Sequence, residues 1–386
     1  MRIPRLMPFA VAALALALAK SSPAACPFCP TMQPTLGERV ARSDIVVLAA
    51  WVATTKAQGD FPGTATFDVL QAAKAQPPVK PGGRVTLPVP VPGEAGALFL
   101  LTGRMGEVIE WDDPDRVTET RYQYLVQAPS PEAAAGKRLG YYLKFLEFSD
   151  PVIADDAYFE FAKAPYEDVA ALAPRMPREK LRVWVADPEI PRHRLGLYGL
   201  MLGLCGTAED APVLERRVFE DEEDARLGID GVMAGYLLLE GPVGLARLDR
   251  DVLQNRAAPD GDVYAAVQAL RFLGQYGGGG IEKSRVCESM RLLLDRPALA
   301  EFSIRDLARW KDWSPVERVA ALYDSSELNT PGRRRGVRLA VLGYLVACGR
   351  DSDSGRFGEV ARESLERFRE RDPKLVGEAE RLIGRK

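Results

Sequence analysis

Leu195-Gly196-Leu197-Tyr198-Gly199-Leu200-Met201-Leu202-Gly203-Leu204-Cys205-Gly206 is the first of four apolar segments between Pro191 and Gly349 that close on glycine. The others are Ile229–Gly241, Val263–Gly277 and Val337–Gly349. The closing glycines stand at 206, 241, 277 and 349, so the intervals are 35, 36 and 72 residues, and the last is two periods of 36. The missing period ends near Trp313, where Ile304–Trp310 supplies a fifth apolar segment without its glycine. A fixed period of this size is the signature of stacked repeats. Each unit reads as two helices. Leu195, Tyr198, Met201, Leu202 and Cys205 fall on one helical face. The glycine then closes the helix in a left-handed conformation. A polar turn leads to a second, more charged helix carrying Val213, Leu214 and Val218. The later units repeat the pair, with Leu245/Leu248/Val252, Val286/Met290/Leu293, Val316/Val319/Tyr323 and Ala361/Leu365/Phe368 as second helices.

First helices that are apolar nearly all round must be buried, and stacking neighbours buries them. The pattern resembles the HEAT and armadillo class of helical solenoids. Tetratricopeptide repeats are nearer in length, but their Trp/Gly/Tyr/Ala/Pro pattern is absent. The resemblance implies an all-α solenoid over residues 129–386, whose charged second helices line an extended protein-binding surface.

The first 25 residues read as a secretory signal peptide. Arg2 and Arg5 form a basic start, Phe9–Ala19 is an apolar run too short to span a bilayer, and Ser22-Pro23-Ala24-Ala25 supplies small residues for cleavage before Cys26. The alternative is a lipid anchor at Cys26, although Pro23 stands where a lipobox carries an aliphatic residue. No second apolar run of membrane length follows, so an extracytoplasmic protein without a transmembrane segment is expected.

Residues 26–128 read as a small antiparallel β-barrel. Strands are expected at Asp44–Val52, Thr64–Leu70, Val85–Val91, Ala97–Leu101, Val108–Trp111 and Tyr122–Val126, after a short helix over Gln33–Arg42. Pro88 and Pro90 confine their strand to an edge. An N-terminal Cys with a second Cys close by, a short helix, and then Ser43-Asp44-Ile45-Val46-Val47-Leu48-Ala49 resembles the netrin-type OB-fold of tissue metalloproteinase inhibitors. That resemblance implies inhibition through the N-terminal Cys. The family has one residue between its first cysteines where this chain has two, and its further disulfide partners are missing, since no Cys lies between Cys29 and Cys205. The fold class is therefore α+β in two domains: an OB-like barrel, then a helical-repeat solenoid. Ala128-Pro129-Ser130-Pro131 marks the boundary, beyond which the apolar period shifts from two to 3.6.

Chemistry-bearing residues are few. Cys26 and Cys29 form a C-x-x-C that follows a cleavage site rather than a strand, so a local disulfide is expected, with a thiol-redox factor as the alternative. His193 is the only histidine and lies between Arg192 and Arg194, which excludes a multi-histidine metal site. Asp112, Asp113, Asp115 and Glu119 do not match calcium-loop spacing, and Gly277–Gly280 before Lys283 fails the phosphate-loop pattern. Cys205 and Cys348 occupy equivalent positions and read as core residues. Asp155, Asp156 and Glu160 are the carboxylates to watch for an acid-only active site. The acidic run Glu220, Asp221, Glu222, Glu223 and Asp224 and the basic cluster Arg333, Arg334 and Arg335 are candidate contact patches. A net charge of −3 argues against nucleic acid. No catalytic residue, metal or cofactor is expected. The expected function is a secreted or envelope, non-enzymatic scaffold that binds a protein partner.

Overall fold

A computed structural model describes residues 26–29, 34–56, 63–220, 226–296, 299–325 and 331–384. The signal-peptide reading lies outside the described residues. Helix α1 (Leu36–Arg42) leads into six strands: β1 (Ile45–Thr55), β2 (Thr64–Lys74), β3 (Arg84–Leu87), β4 (Leu98–Met105), β5 (Ile109–Trp111) and β6 (Asp115–Arg116). The sheet is antiparallel in the order β3-β2-β1-β4-β5, with β6 also on β4.

The sheet is open, which corrects the closed barrel. β3 stops at Leu87 because Pro88 and Pro90 offer no N–H to a ladder. Side chains hold the next stretch instead: Trp51 Nε1 and Thr54 Oγ1 donate to the Val91 carbonyl at 2.9 and 2.7 Å. The strand expected at Tyr122–Val126 is a helix, α2 (Glu119–Gln127). Thr118 caps its N-terminus by accepting from Arg121 N at 3.1 Å, and Tyr122 and Leu125 share a helical face.

The remaining helices are α3 (Ala135–Tyr142), α4 (Pro151–Ala162), α5 (Tyr166–Ala170), α6 (Arg178–Ala186), α7 (Arg192–Cys205), α8 (Ala211–Phe219), α9 (Ile229–Leu248), α10 (Asp260–Tyr276), α11 (Lys283–Leu292), α12 (Ala300–Arg309), α13 (Val316–Ala321), α14 (Pro331–Arg350), α15 (Arg356–Arg371) and α16 (Pro373–Gly384). α7 packs on α9, α9 on α10, α12 on α14, and α14 on α15 and α16. Five of the polar ties that cross from one helix pair to the next span 32 to 36 residues, while Arg318–Asp295 and Arg371–Asp324 span 23 and 47. Arg178–Asp210 and Glu215–Arg247 are 32 residues apart, Arg226–Asp262 and Asp249–Arg285 are 36, and Arg271–Asp306 is 35.

The closing glycines behave unequally. Gly241 (φ 59) and Gly277 (φ 72) take positive φ and end their helical segments, and Gly241 breaks α9 into two. Gly206 caps α7 with extended backbone (φ −79, ψ 180), not left-handed. Gly349 lies inside α14 and does not end it. In the unit without a glycine, Lys311 (φ 58) adopts positive φ just after α12. The turn geometry is kept there at the steric cost of a Cβ, about 1 kcal/mol.

Two cores result. Ile45, Val47, Phe67, Phe99 and Leu101 form a small core on one sheet face. Val46, Leu48 and Leu100, on the other face, join the core that runs through all the helices. Helix α1 is clamped at both ends: Asp156 of α4 accepts from Leu36 N at 2.6 Å, and Lys74 of β2 donates to the Val40 and Ser43 carbonyls at 2.7 and 3.0 Å. Both charges suit the helix dipole.

Candidate functional site

Cys26 and Cys29 form a disulfide, as the spacing predicts. Its loop packs on helices: Cys26 N donates to Ala162 O at 3.0 Å, and the buried Phe28 ring lies 5.3 Å from that of Phe272. The Cys26 sulfur is thus committed to Cys29, and a thioether lipid there and this disulfide exclude each other. The remaining thiols are inert by environment, since burial pushes Cys205 and Cys348 up to about 11 and raises Cys287.

His193 sits at the start of α7. Its Nε2 lies 3.2 Å from Asp155 Oδ1, its one hydrogen-bond partner among the described residues. The same oxygen accepts from Arg194 Nη2 at 2.5 Å. Arg194 turns inward and also donates to Glu147 Oε1 at 2.7 Å, an atom that accepts from Tyr198 Oη at 2.6 Å. The cluster joins α4 and α7 and presents no nucleophile to the imidazole. It reads as a structural pin.

Asp156 and Glu160 are buried in a packed cluster and do not line the groove described below. Asp156 accepts from Leu36 N and from Tyr124 Oη (2.7 Å), and Glu160 pairs with Arg138 at 3.0 Å. Burial pushes the Asp156 carboxyl up to about 6, and the two donors only partly oppose it. A raised carboxyl pKa means that the folded state holds the proton more tightly. The linked stability is fully present below pH ~4 and is lost as pH rises through about 6. Relative to Asp156→Asn, the native protein is expected to lose roughly 2–3 kcal/mol between pH 4 and 7.5. Urea unfolding of both proteins at the two pH values checks this; a difference of opposite sign would contradict it.

The charge patches fare differently. Glu220 is exposed, and its nearest ion-pair partner is Arg217 at 3.9 Å. Asp221, Glu222, Glu223 and Asp224 lie outside the described residues, as does the Arg333 side chain. Arg334 is exposed. Arg335 is tied to Glu378 of α16 at 2.6 Å, so it serves the fold rather than standing free for a partner. Asp112 accepts from Thr102 Oγ1 at 2.8 Å while Asp115 pairs with Arg39, and no group of three or more His, Cys, Asp or Glu among the described residues is placed to hold a metal ion. Gly277–Gly280 is a turn between α10 and α11.

The second helices, expected to form the contact surface, spend charge on one another: Arg285 on Asp249, Arg318 on Asp295, Arg371 on Asp324. An open apolar groove lies instead among the first helices and α16. Arg305, Ala308 and Arg309 of α12 form one wall, Leu339, Gly343 and Ala347 of α14 form the floor with Ala340 and Tyr344, and Ala379, Leu382 and Ile383 of α16 form the other wall. It encloses about 400 Å³. Leu382 is 55% exposed although its neighbours are apolar. Each helix contributes residues at i, i+3 or i+4, the spacing that puts them on one face. Sequence reading missed the groove because small residues at such spacing look like ordinary core until the opposite helix is known to stand away.

No known protein family, curated protein or solved structure matches this chain. Among the described residues, Ile229–Leu253 is the one helical stretch long and apolar enough to cross a membrane; most of it is buried inside the fold, and Gly241 interrupts it.

Proposed function

We propose that this protein is an extracytoplasmic, non-enzymatic binding protein. An OB-like sheet domain joins a HEAT-like helical solenoid, and the solenoid's C-terminal groove holds an amphipathic helix of a protein partner. The observation that carries this reading is the groove between α12, α14 and α16, apolar on its floor and bordered by Arg305 and Arg309. Helix-in-groove recognition needs such a floor for anchors spaced at i, i+3/i+4 and i+7. Arg305 and Arg309 are paired with Glu301 and Asp306 of their own helix, so the apolar floor rather than net charge at the rim selects the partner helix. The recurrence of ties at 32 to 36 residues through α12 supports the solenoid reading. A disulfide near the N-terminus is in keeping with an oxidising compartment.

The test is a photo-crosslinking residue at position 309 in the full chain, irradiated in envelope extract. A discrete adduct is expected, and it should vanish when Gly343→Phe fills the floor. A Cβ at Gly343 meets only Ile383 Cδ1 at 3.8 Å, so the fold has room for the change. An unchanged melting temperature confirms that the fold survives. An adduct that persists with the floor filled would sink the proposal, as would the absence of any adduct.

A further inference from the structure

The short segment Cys26–Cys29 reaches three helices that lie far apart along the chain. Cys26 N donates to Ala162 O at the end of α4, 3.0 Å away. The Phe28 carbonyl stands against Gly196 of α7, where an added Cβ would lie 3.2 Å from it. The Phe28 ring is buried and lies 5.3 Å from Phe272 of α10. Phe272 belongs to an aromatic cluster with Tyr166 of α5 (5.0 Å) and Tyr276 of α10 (5.4 Å), whose own rings are 4.3 Å apart.

Little else holds the segment. Among the described residues, Cys26 N is its one backbone donor to a helix, and Cys29 N turns back to Cys26 O within the loop. Ordering such a segment costs backbone entropy that one hydrogen bond and one ring offset poorly. The Cys26–Cys29 disulfide removes part of that cost in advance, because the ring it closes leaves the free segment few conformations. Cys26 is buried and Cys29 is partly exposed, so Cys29 is the side from which a thiolate approaches.

We propose that this disulfide is a redox-sensitive clasp. Closed, it seats Phe28 on the α5–α10 aromatic cluster and ties α4, α7 and α10 together. Opened by a dithiol, it lets the segment leave while the helical stack stays folded. One thiolate of the dithiol attacks Cys29 Sγ, the bond between the two sulfurs breaks, and Cys26 leaves as a thiolate that takes a proton. The second thiolate of the dithiol attacks its own half of the mixed disulfide and frees Cys29, which takes a proton in turn. Two electrons and two protons pass to the protein, and the dithiol becomes a disulfide. Without the closed ring, the docked segment is disfavoured about tenfold or more. The stack survives because Cys26 and Phe28 are two side chains at the margin of a core that runs through all the helices. The inference is independent of the groove between α12, α14 and α16.

A 4-fluorophenylalanine at position 28 of the full chain, followed by fluorine NMR, tests it. The oxidised protein is expected to show a buried resonance, and dithiothreitol should move it to the solvent-exposed position. Reoxidation should bring it back. Cys29→Ser should show the exposed resonance from the start and should not respond to dithiothreitol. Far-UV circular dichroism should keep its helical signal throughout. A resonance that stays buried once mass spectrometry shows Cys26 and Cys29 reduced would overturn the proposal. So would a buried resonance in Cys29→Ser. Loss of the helical signal on reduction would overturn it as well, since the disulfide would then support the whole fold.

Discussion

Replacing Gly235 by alanine is expected to cost about 3 kcal/mol or more and to lower the melting temperature by roughly 4–6 °C. The reason is the seam between α7 and α9. Gly196, Gly199 and Gly203 of α7 face Gly231 and Gly235 of α9 so closely that backbone touches backbone. A Cβ on Gly235 would lie 2.0 Å from the Gly199 carbonyl oxygen, and one on Gly203 would lie 2.4 Å from Gly235 Cα. Neither obstacle is a flexible side chain, so the two helices must separate. Both belong to the continuous helical core, in which Val232, Met233 and Tyr198 are buried, and separation opens voids beside them. Gly261→Ala is the control. A Cβ there meets nothing within 4 Å, and alanine is the better helix former. Thermal unfolding of the two variants should move in opposite directions. A Gly235→Ala protein as stable as the native one would mean that the seam is not this close.

Arg194→Ala is expected to cost roughly 2–3 kcal/mol, less than the loss of a fully buried pair because Asp155 reaches solvent. The Arg194 side chain is 5% exposed and serves Glu147 and Asp155 together. Its removal leaves Glu147 and Tyr198 with a carboxylate facing a buried hydroxyl and no counter-charge. Asp155, 41% exposed, can be rehydrated and keeps His193. Arg335→Ala breaks an exposed pair with Glu378 and is expected to change stability by no more than about 0.5 kcal/mol. Denaturant unfolding of both variants checks the contrast. Equal small losses would show that the α4–α7 pin is no stronger than a surface ion pair.

These two positions also separate what could be read early from what could not. The apolar period of Leu195–Gly206 and its successors placed helices at α7, α9, α10, α12 and α14, because burial on a helix demands a 3.6-residue recurrence that any sequence displays. The alternation at Thr64–Leu70 placed β2 for the same kind of reason. Tyr122–Val126 went astray because a short apolar run fits either period, and Thr118, four residues earlier, decided for helix. The C-x-x-C disulfide was legible from spacing alone, because two cysteines three apart need no distant partner.

Sequence by itself therefore determined the order and type of most elements, the placing of an antiparallel sheet before a helical region, and the local disulfide, all of which depend on neighbours along the chain. Tertiary structure alone decided the open sheet, the glycine seam, the inward turn of Arg194, the groove beside Leu382 and the seating of Phe28 against Phe272. Each of these depends on which surfaces meet across tens of residues. Asp156 and Leu36 are separated by 120 positions, and no local pattern of charge or hydropathy encodes that they touch.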